Sequence, residues 1–435
     1  MRRESVRGEK RPSQLQRVVS LPGAVLLGLG SMIGTGVFVS IGLGVVVAGS
    51  DVMIAIFLAA IVALCNGLSS AQLAANHPVS GGTYEYGYRY LTPHLGFLAG
   101  WTFLIAKSAS AATAALGIAQ YLFTAFQVVP TFVPLVALSF VLLYTLITLA
   151  GLRRSNQVNA ILVTLTFVAL GTLIFLGSSH IRTDNLPFIK GEMFPTYPIS
   201  DILQATALLF VAFTGYGRVA TLGEEVHNPR RTVPRSILVV VLITMFLYLS
   251  VAFVSVGVLG ESEFGYSMVK SSEGILIVVA RWMRHPEIIP LLTAGAITAM
   301  SGVLLNLILG LSRVLMAMGR RGDMPVRLAQ LNSTGKTPVA AVIVVGSIVG
   351  GLTLIGDVKT TWSFSAFAVL IYYGITNLSA LRLPRADSLY PRIVPAIGLL
   401  SCLALAFFVE RGIWLIGLGL IAAGFLWQRL MRQKR

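Results

Sequence analysis

Hydrophobic runs close to twenty residues long recur along the whole chain, and no other feature limits its fold so strongly. At about 1.5 Å per residue, such a run crosses the ~30 Å hydrocarbon core of a bilayer as one helix. Backbone polar groups in lipid must be satisfied within the spanning element, so continuous apolar runs of this length are helices. Twelve runs are expected, at 21–48, 51–75, 95–126, 131–150, 157–177, 200–226, 236–260, 287–318, 338–356, 361–381, 393–409 and 412–430. Composition agrees: 55% of the residues are hydrophobic and 11% charged, whereas soluble proteins carry about 25% charge. The fold class is therefore an all-α polytopic membrane protein. No polar stretch is long enough for an independent soluble domain. Cys65 and Cys402 both lie in apolar runs, which leaves no disulfide framework or metal spacing. The first run exceeds a signal-peptide core and ends without a small-residue cleavage site.

The net charge is +16. Its placement argues for a membrane rather than nucleic acid. The ends, "MRRESVRGEKRPSQLQR" and "RLMRQKR", are both basic, and an even number of spans puts them on one side. Taking that side as cytoplasmic assigns 23 Lys/Arg inside, counting Arg429 at the cytoplasmic end of the last span, and 7 outside, with Lys107, Arg218 and Arg313 deeper inside spans. This is the positive-inside pattern. It implies a multi-pass protein of the cell (inner or plasma) membrane with both termini cytoplasmic. Between the second and third spans, "HPVSGGTYEYGYRYLTP" alternates tyrosines at 84, 86, 88 and 90. An unpaired strand edge is not tolerated at a membrane, so an interfacial helix with tyrosines at headgroup level is expected.

Two spans are interrupted. Span one contains Gly30-Ser-Met-Ile-Gly-Thr-Gly-Val-Phe38, and span six contains Phe210-Val-Ala-Phe-Thr-Gly-Tyr-Gly217. Glycine costs about 1 kcal/mol against alanine inside a helix, so such clusters need a reason. The two breaks are five spans apart. With an odd offset, the second set of five spans runs in the opposite sense, and matched breaks of this kind point to an inverted-repeat transporter with a midplane site. A half-helix beginning after Gly34-Thr-Gly36 aims free amides and a positive dipole end at an anion such as a carboxylate. Carbonyls freed around Phe210 to Phe213 can accept from an ammonium. Together they suit an α-amino acid. The plainer alternative is helix packing through the small-xxx-small pair Gly30 and Gly34. The nucleotide fingerprint is not met: "GLGSMIG" has one residue too many and no preceding strand.

Four motifs then carry a family resemblance: "GSMIGTGVF" (30–38), "HPVSGGTYEYGYRYLTPHLGFLAGW" (77–101), "FVAFTGYGRVATLGEEVHNPRRTVPRSI" (210–237) and "SRVLMAMGRRGDMPVRLAQLNSTGKTPVAA" (312–341). In this order they resemble the amino acid–polyamine–organocation (APC) transporters, especially bacterial relatives of cationic amino acid transporters. The resemblance implies a LeuT-like fold of five plus five inverted helices, discontinuous at helices one and six, with two further helices. Residues 1–20 would be a basic tail, 21–177 the first repeat, 200–381 the second, and 382–435 the last two helices and C-terminus. It also implies sodium-independent or proton-linked amino acid transport by alternating access. By position, Ser31, Ile33, Gly34, Thr35 and Gly36 resemble the carboxylate-binding turn. Phe210, Ala212 and Phe213 resemble the ammonium-binding carbonyls, and Thr214 and Gly215 would line the side-chain pocket. One departure stands out. Related members carry a fifth-helix lysine in the place of a sodium ion, where this chain has Thr166.

Lys107 lies near the middle of span three, and an intramembrane ionisable residue is a functional candidate by default. It is expected to replace the charge lost at Thr166 and to carry a proton each cycle; a structural lysine bonded to helix-end carbonyls is the alternative. Arg218 is expected to pair with Glu224 or Glu225, a pair that Arg313 could share, or else to act as a gate or substrate contact. No acidic residue falls mid-span near either break, so a cationic side chain there would lack a partner. Neutral and, after them, acidic amino acids are therefore expected as substrates, with a cationic amino acid or polyamine transporter as the alternative. Other classes are a membrane amino acid sensor, for which no output domain is visible, and a channel. No nucleotide loop, metal cluster or Ser/His/Asp constellation suggests an enzyme, and no cofactor is implied. A sodium site from Gly30 and Ile33 carbonyls with Thr298 or Ser301 hydroxyls is a further option, although hydroxyls in membrane helices more often make packing bonds. Monomer and homodimer are both compatible with the sequence.

Overall fold

A computed structural model describes residues 19–77, 81–128, 132–151, 156–187, 189, 191, 195–220, 226–269, 274–332 and 337–433. Its helices, in chain order, are α1 (Leu21–Met32), α2 (Ile41–Ala48), α3 (Val52–Asn76), α4 (Thr83–Tyr90), α5 (Pro93–Phe126), α6 (Val133–Leu149), α7 (Asn156–Ser178), α8 (Ile199–Phe213), α9 (Tyr216–Ala220), α10 (Pro229–Leu259), α11 (Glu261–Val269), α12 (Ile275–Trp282), α13 (Ile289–Arg321), α14 (Val339–Ile355), α15 (Val358–Leu381), α16 (Ile393–Ala406) and α17 (Arg411–Gln433). Among the described residues no strand forms; a single bridge joins Val19 to Val226. Seven helical runs are long and apolar enough to cross a bilayer, and α6, α8, α14 and α16 are shorter apolar helices.

Local chemistry sets the helix starts. Ser20 accepts from Gly23 N ahead of Pro22 in α1. Thr92 accepts from Leu95 N at 3.3 Å ahead of Pro93 in α5, and Asp357 accepts from Thr360 N at 2.8 Å at α15. Each cap satisfies one orphan amide of a first turn, and proline tolerates that turn because its missing N–H would be orphaned anyway.

Small residues set the packing. The α5 face Ala109–Ala119 is almost wholly buried, and α5 runs along both α13 and α15. The periphery is the reverse. Leu135, Leu142 and Leu146 of α6, Ile348 and Ile355 of α14, and Leu400 of α16 are exposed. Apolar surface of that extent suits lipid rather than water.

The chain is clasped at both ends of the bundle. At one end Asp51 is fully buried, and its Oδ2 accepts from Thr196 N at 2.8 Å and Tyr197 N at 2.7 Å. Glu261 accepts from Ser50 N at 2.7 Å and from the Tyr197 hydroxyl at 3.0 Å. Burial and the neighbouring Glu261 carboxylate push the Tyr197 phenol up to about 12, so it stays a donor at any working pH. At the other end α4 docks against the α13 terminus. The Tyr84 and Tyr88 hydroxyls donate to Asp323 at 2.8 and 2.6 Å, and Arg321 pairs with Glu85 and lies 4.1 Å over the Tyr88 ring.

The period-two tyrosines therefore do form a helix, as expected, but not one facing headgroups all round. Tyr84 and Tyr86 are buried in protein. On a helix, residues 84 and 88 share a face, and that face is occupied by Asp323.

Candidate functional site

Span one breaks where the glycines predict. α1 ends with Ile33 in an extended conformation, and the helix restarts with a π turn over Gly36–Ser40. Ile33 N still bonds Leu29 O, and Val37 N and Phe38 N share Gly34 O at 3.2 Å. Among the described residues, the amides of Gly34 and Thr35 make no backbone hydrogen bond. The Thr35 hydroxyl is buried and has no partner among them either. Two amides and a hydroxyl left over in an apolar interior are costly unless a ligand meets them.

Span six breaks between α8 and α9. Thr214 N bonds Val211 O, and Gly217 N bonds Thr214 O. These tighter bonds take the i+4 donors away from the Phe210 and Phe213 carbonyls.

The fold brings the two breaks together. A Cβ on Gly215 would lie 2.5 Å from the Ser31 carbonyl carbon and oxygen. A Cβ on Gly36 would collide with the Tyr248 hydroxyl and lie 2.9 Å from Ala212 Cβ. Ser31, Gly34, Thr35, Gly36, Ala212 and Gly215 thus belong to one locus. The packing alternative is also met in part: Gly30 abuts Asn159 of α7, while Gly34 abuts Val303 and Ala299 of α13. The glycines serve close approach and interruption at once.

Aromatic donors from other helices cap the carbonyls around this locus. Tyr248 of α10 donates to Met32 O at 2.8 Å and lies 3.5 Å from Ala212 O. Tyr121 of α5 donates to Phe38 O at 3.0 Å, and Trp362 of α15 to Leu208 O at 2.9 Å. Tyr373 reaches Thr214 O at 3.4 Å, and its ring meets Phe210 edge-on. Sequence reasoning does not reach these four residues. Their only signal is a polar-tipped aromatic in an apolar span, which buried Tyr and Trp share generally. Tyr248→Phe leaves the Met32 carbonyl without its donor. At about 1–3 kcal/mol for a buried unsatisfied group, uptake at sub-saturating substrate should fall about 5- to 150-fold. Initial rates in liposomes check this.

Lys107 is buried and donates to Thr214 Oγ1 at 2.9 Å, and Thr214 Oγ1 in turn lies 2.7 Å from Val211 O. The span-three lysine therefore ends on the span-six break. Thr166 is elsewhere engaged: its hydroxyl donates to Leu162 O of its own helix at 2.8 Å. The Thr298 hydroxyl is likewise held by Ala294 O at 2.7 Å, and Ser301 is buried on the same helix. Arg218, one turn past the break, and Arg313 are exposed, and both interact with other groups. Glu224 and Glu225 lie outside the described residues.

Residues 23–432 match the amino acid permease family. The chain belongs to that family. An uncharacterized transporter of Mycobacterium tuberculosis is 37% identical, over 95% of this chain and 92% of its own length. A branched-chain amino acid permease of Bacillus subtilis is 30% identical, over 97% and 94%. A vacuolar cationic amino acid transporter of Arabidopsis thaliana is 27% identical, over 83% and 63%. This permease is thus a multi-pass membrane protein of the APC superfamily, whose members are transporters rather than enzymes.

Proposed function

We propose that this permease is a secondary amino acid transporter that works by alternating access and favours neutral L-amino acids. The observation that carries the reading is the junction of the two helix breaks. The Gly34 and Thr35 amides and the Thr35 hydroxyl lie on one side, and the Phe210 and Phe213 carbonyls, without their helical donors, on the other. Donors suit a carboxylate and acceptors suit an ammonium. Residues 21–177 and 200–381 would then be inverted five-helix repeats, with α16 and α17 added. α1–α2 and α8–α9 would be their discontinuous first helices, and both termini cytoplasmic.

Two features favour neutral substrates. The cation near the locus, Lys107, repels a second one, and among the described residues no carboxylate pairs with it. The locus walls are also apolar: Phe210, Ala212 and Phe213 are buried, with Tyr373 and Tyr248 packed on the rings. The branched-chain permease among the relatives fits this preference.

Lys107 is the proposed coupling residue. Bonded to the span-six break, it touches the element that moves in alternating access. Sodium coupling is the second reading, with Gly30, Ile33, Thr298 and Ser301 as its donors.

Uptake of a labelled amino acid panel by proteoliposomes, with an inward proton gradient, a sodium gradient or neither, tests the proposal. Leucine, valine or alanine should be preferred over arginine and lysine by about tenfold or more, the cost of an unpaired buried charge being well above the roughly 1.4 kcal/mol this requires. Preferred uptake of arginine or lysine rejects the neutral-substrate reading. Binding without flux would identify a sensor instead.

A further inference from the structure

A seam of hydroxyl groups runs along the contact between α5 and α15. Lys107, Ser110 and Thr113 stand three residues apart on α5, and Thr361 and Ser365 four apart on α15, so each set shares one helix face. Ser110 Oγ and Ser365 Oγ share a hydrogen bond of 2.6 Å. Thr113 Oγ1 donates to Thr361 Oγ1 at 2.8 Å, and Thr361 Oγ1 lies 2.7 Å from Asp357 O. All four hydroxyl residues are buried, while Asp357, which caps α15, is exposed. The seam therefore starts at the backbone carbonyl of an exposed acidic residue at the bundle end and runs on one α5 face toward Lys107, which bonds Thr214 at the span-six break.

Interhelical hydroxyl pairs in membranes are commonly packing bonds. This set differs in what stands at its two ends, exposed Asp357 and buried Lys107, and in its register. Successive rungs are separated by about 4.5 Å of rise on α5 and about 6 Å on α15. One water making two hydrogen bonds of about 2.8 Å spans about 5.6 Å, a length comparable with these separations.

We propose that this seam, bridged by single waters between its rungs and at Lys107, is a proton-access path from the Asp357 face to Lys107. It rests on the reading of Lys107 as the coupling residue. Hydronium at the Asp357 face gives up a proton to the first water or hydroxyl. Each O–H passes its own proton forward as it accepts one from behind. The neutral Lys107 amine takes the last proton through its lone pair and becomes the ammonium that donates to Thr214. After the site reopens on the other side, the ammonium returns that proton to water there. Among the described residues, the ionisable groups next to Thr214 on the elements that meet it are Tyr373, whose hydroxyl reaches Thr214 O, Tyr372 beside it, Tyr216, and Arg218, one turn beyond Thr214.

The test compares two modes of amino acid flux in proteoliposomes: accumulation driven by an inward proton gradient, and exchange of internal for external substrate at equal pH. Thr113→Val and Ser365→Ala should lower gradient-driven accumulation rates about tenfold or more while exchange stays within about twofold. Thr113→Ser, which keeps the hydroxyl, should restore the drive. Equal losses in both modes mean a structural role and overturn the path. Retained drive in both variants, with loss in Lys107→Met, overturns the path alone. Absence of proton drive in the unmodified protein overturns the Lys107 reading and the path together.

Discussion

Replacing Gly215 by alanine should nearly abolish transport while the protein still reaches the membrane. The added Cβ falls 2.5 Å from both the carbonyl carbon and oxygen of Ser31. A backbone group cannot swing aside as a side-chain tip can, so the two breaks must move apart by about an ångström. Overpacking of this kind costs about 1–3 kcal/mol, and here the cost falls on the junction of the two breaks. Binding should weaken about 5- to 150-fold by that arithmetic, and the closing movement should suffer as well. Gly171, beside which there is open space, supplies the control: Gly171→Ala should leave uptake within about twofold, since surface changes away from special features are nearly neutral. Equal uptake by Gly215→Ala and Gly171→Ala would show that the Ser31–Gly215 approach does not matter for transport.

Lys107→Met should uncouple the permease from the proton gradient without emptying its site. Methionine keeps the length and apolar stem of lysine but carries no proton. At one proton per substrate, a gradient of one pH unit, acid outside, supports about tenfold accumulation. The variant should equilibrate its substrate at about onefold, with exchange at equal pH retained. The sign is fixed by the proposal: an acidic exterior loads the amine and speeds entry, so raising the external pH should slow the unmodified protein and leave the variant unaffected. Accumulation that still follows the gradient in Lys107→Met would reject Lys107 as the proton carrier.

Much of the architecture was legible because membrane helices obey simple rules. Apolar runs end where caps such as Thr92 and Asp357 begin new helices, and the helices found lie within a few residues of most expected spans. The breaks were legible for the same reason. Glycines at 34, 36 and 215 would weaken a membrane helix without return unless something else used the space they leave, and in the structure Val303, Tyr248 and the Ser31 backbone do. The depth of Lys107 could be counted along its span, but its partner could not. Thr214 is 107 residues away, and the expectation that Lys107 answers for Thr166 has no contact between the two side chains behind it. Each is bonded to something else. The alternating tyrosines show another limit. Their helix was foreseeable, whereas the burial of Tyr84 against Asp323, 239 residues on, was not.

The sequence by itself determined that this chain lives in a membrane, that it is helical, and where two of its helices are interrupted. Those properties depend on runs of neighbouring residues and on the cost of an unsatisfied backbone in lipid. Only the tertiary structure decided what meets the interruptions: Ser31 against Gly215, Tyr248 on Met32 O, Lys107 on Thr214, and the hydroxyl seam from Asp357. Each of these pairs joins different helices. Which face a helix turns toward its neighbours is set by the packing of the whole bundle, and no local stretch of the chain contains that information.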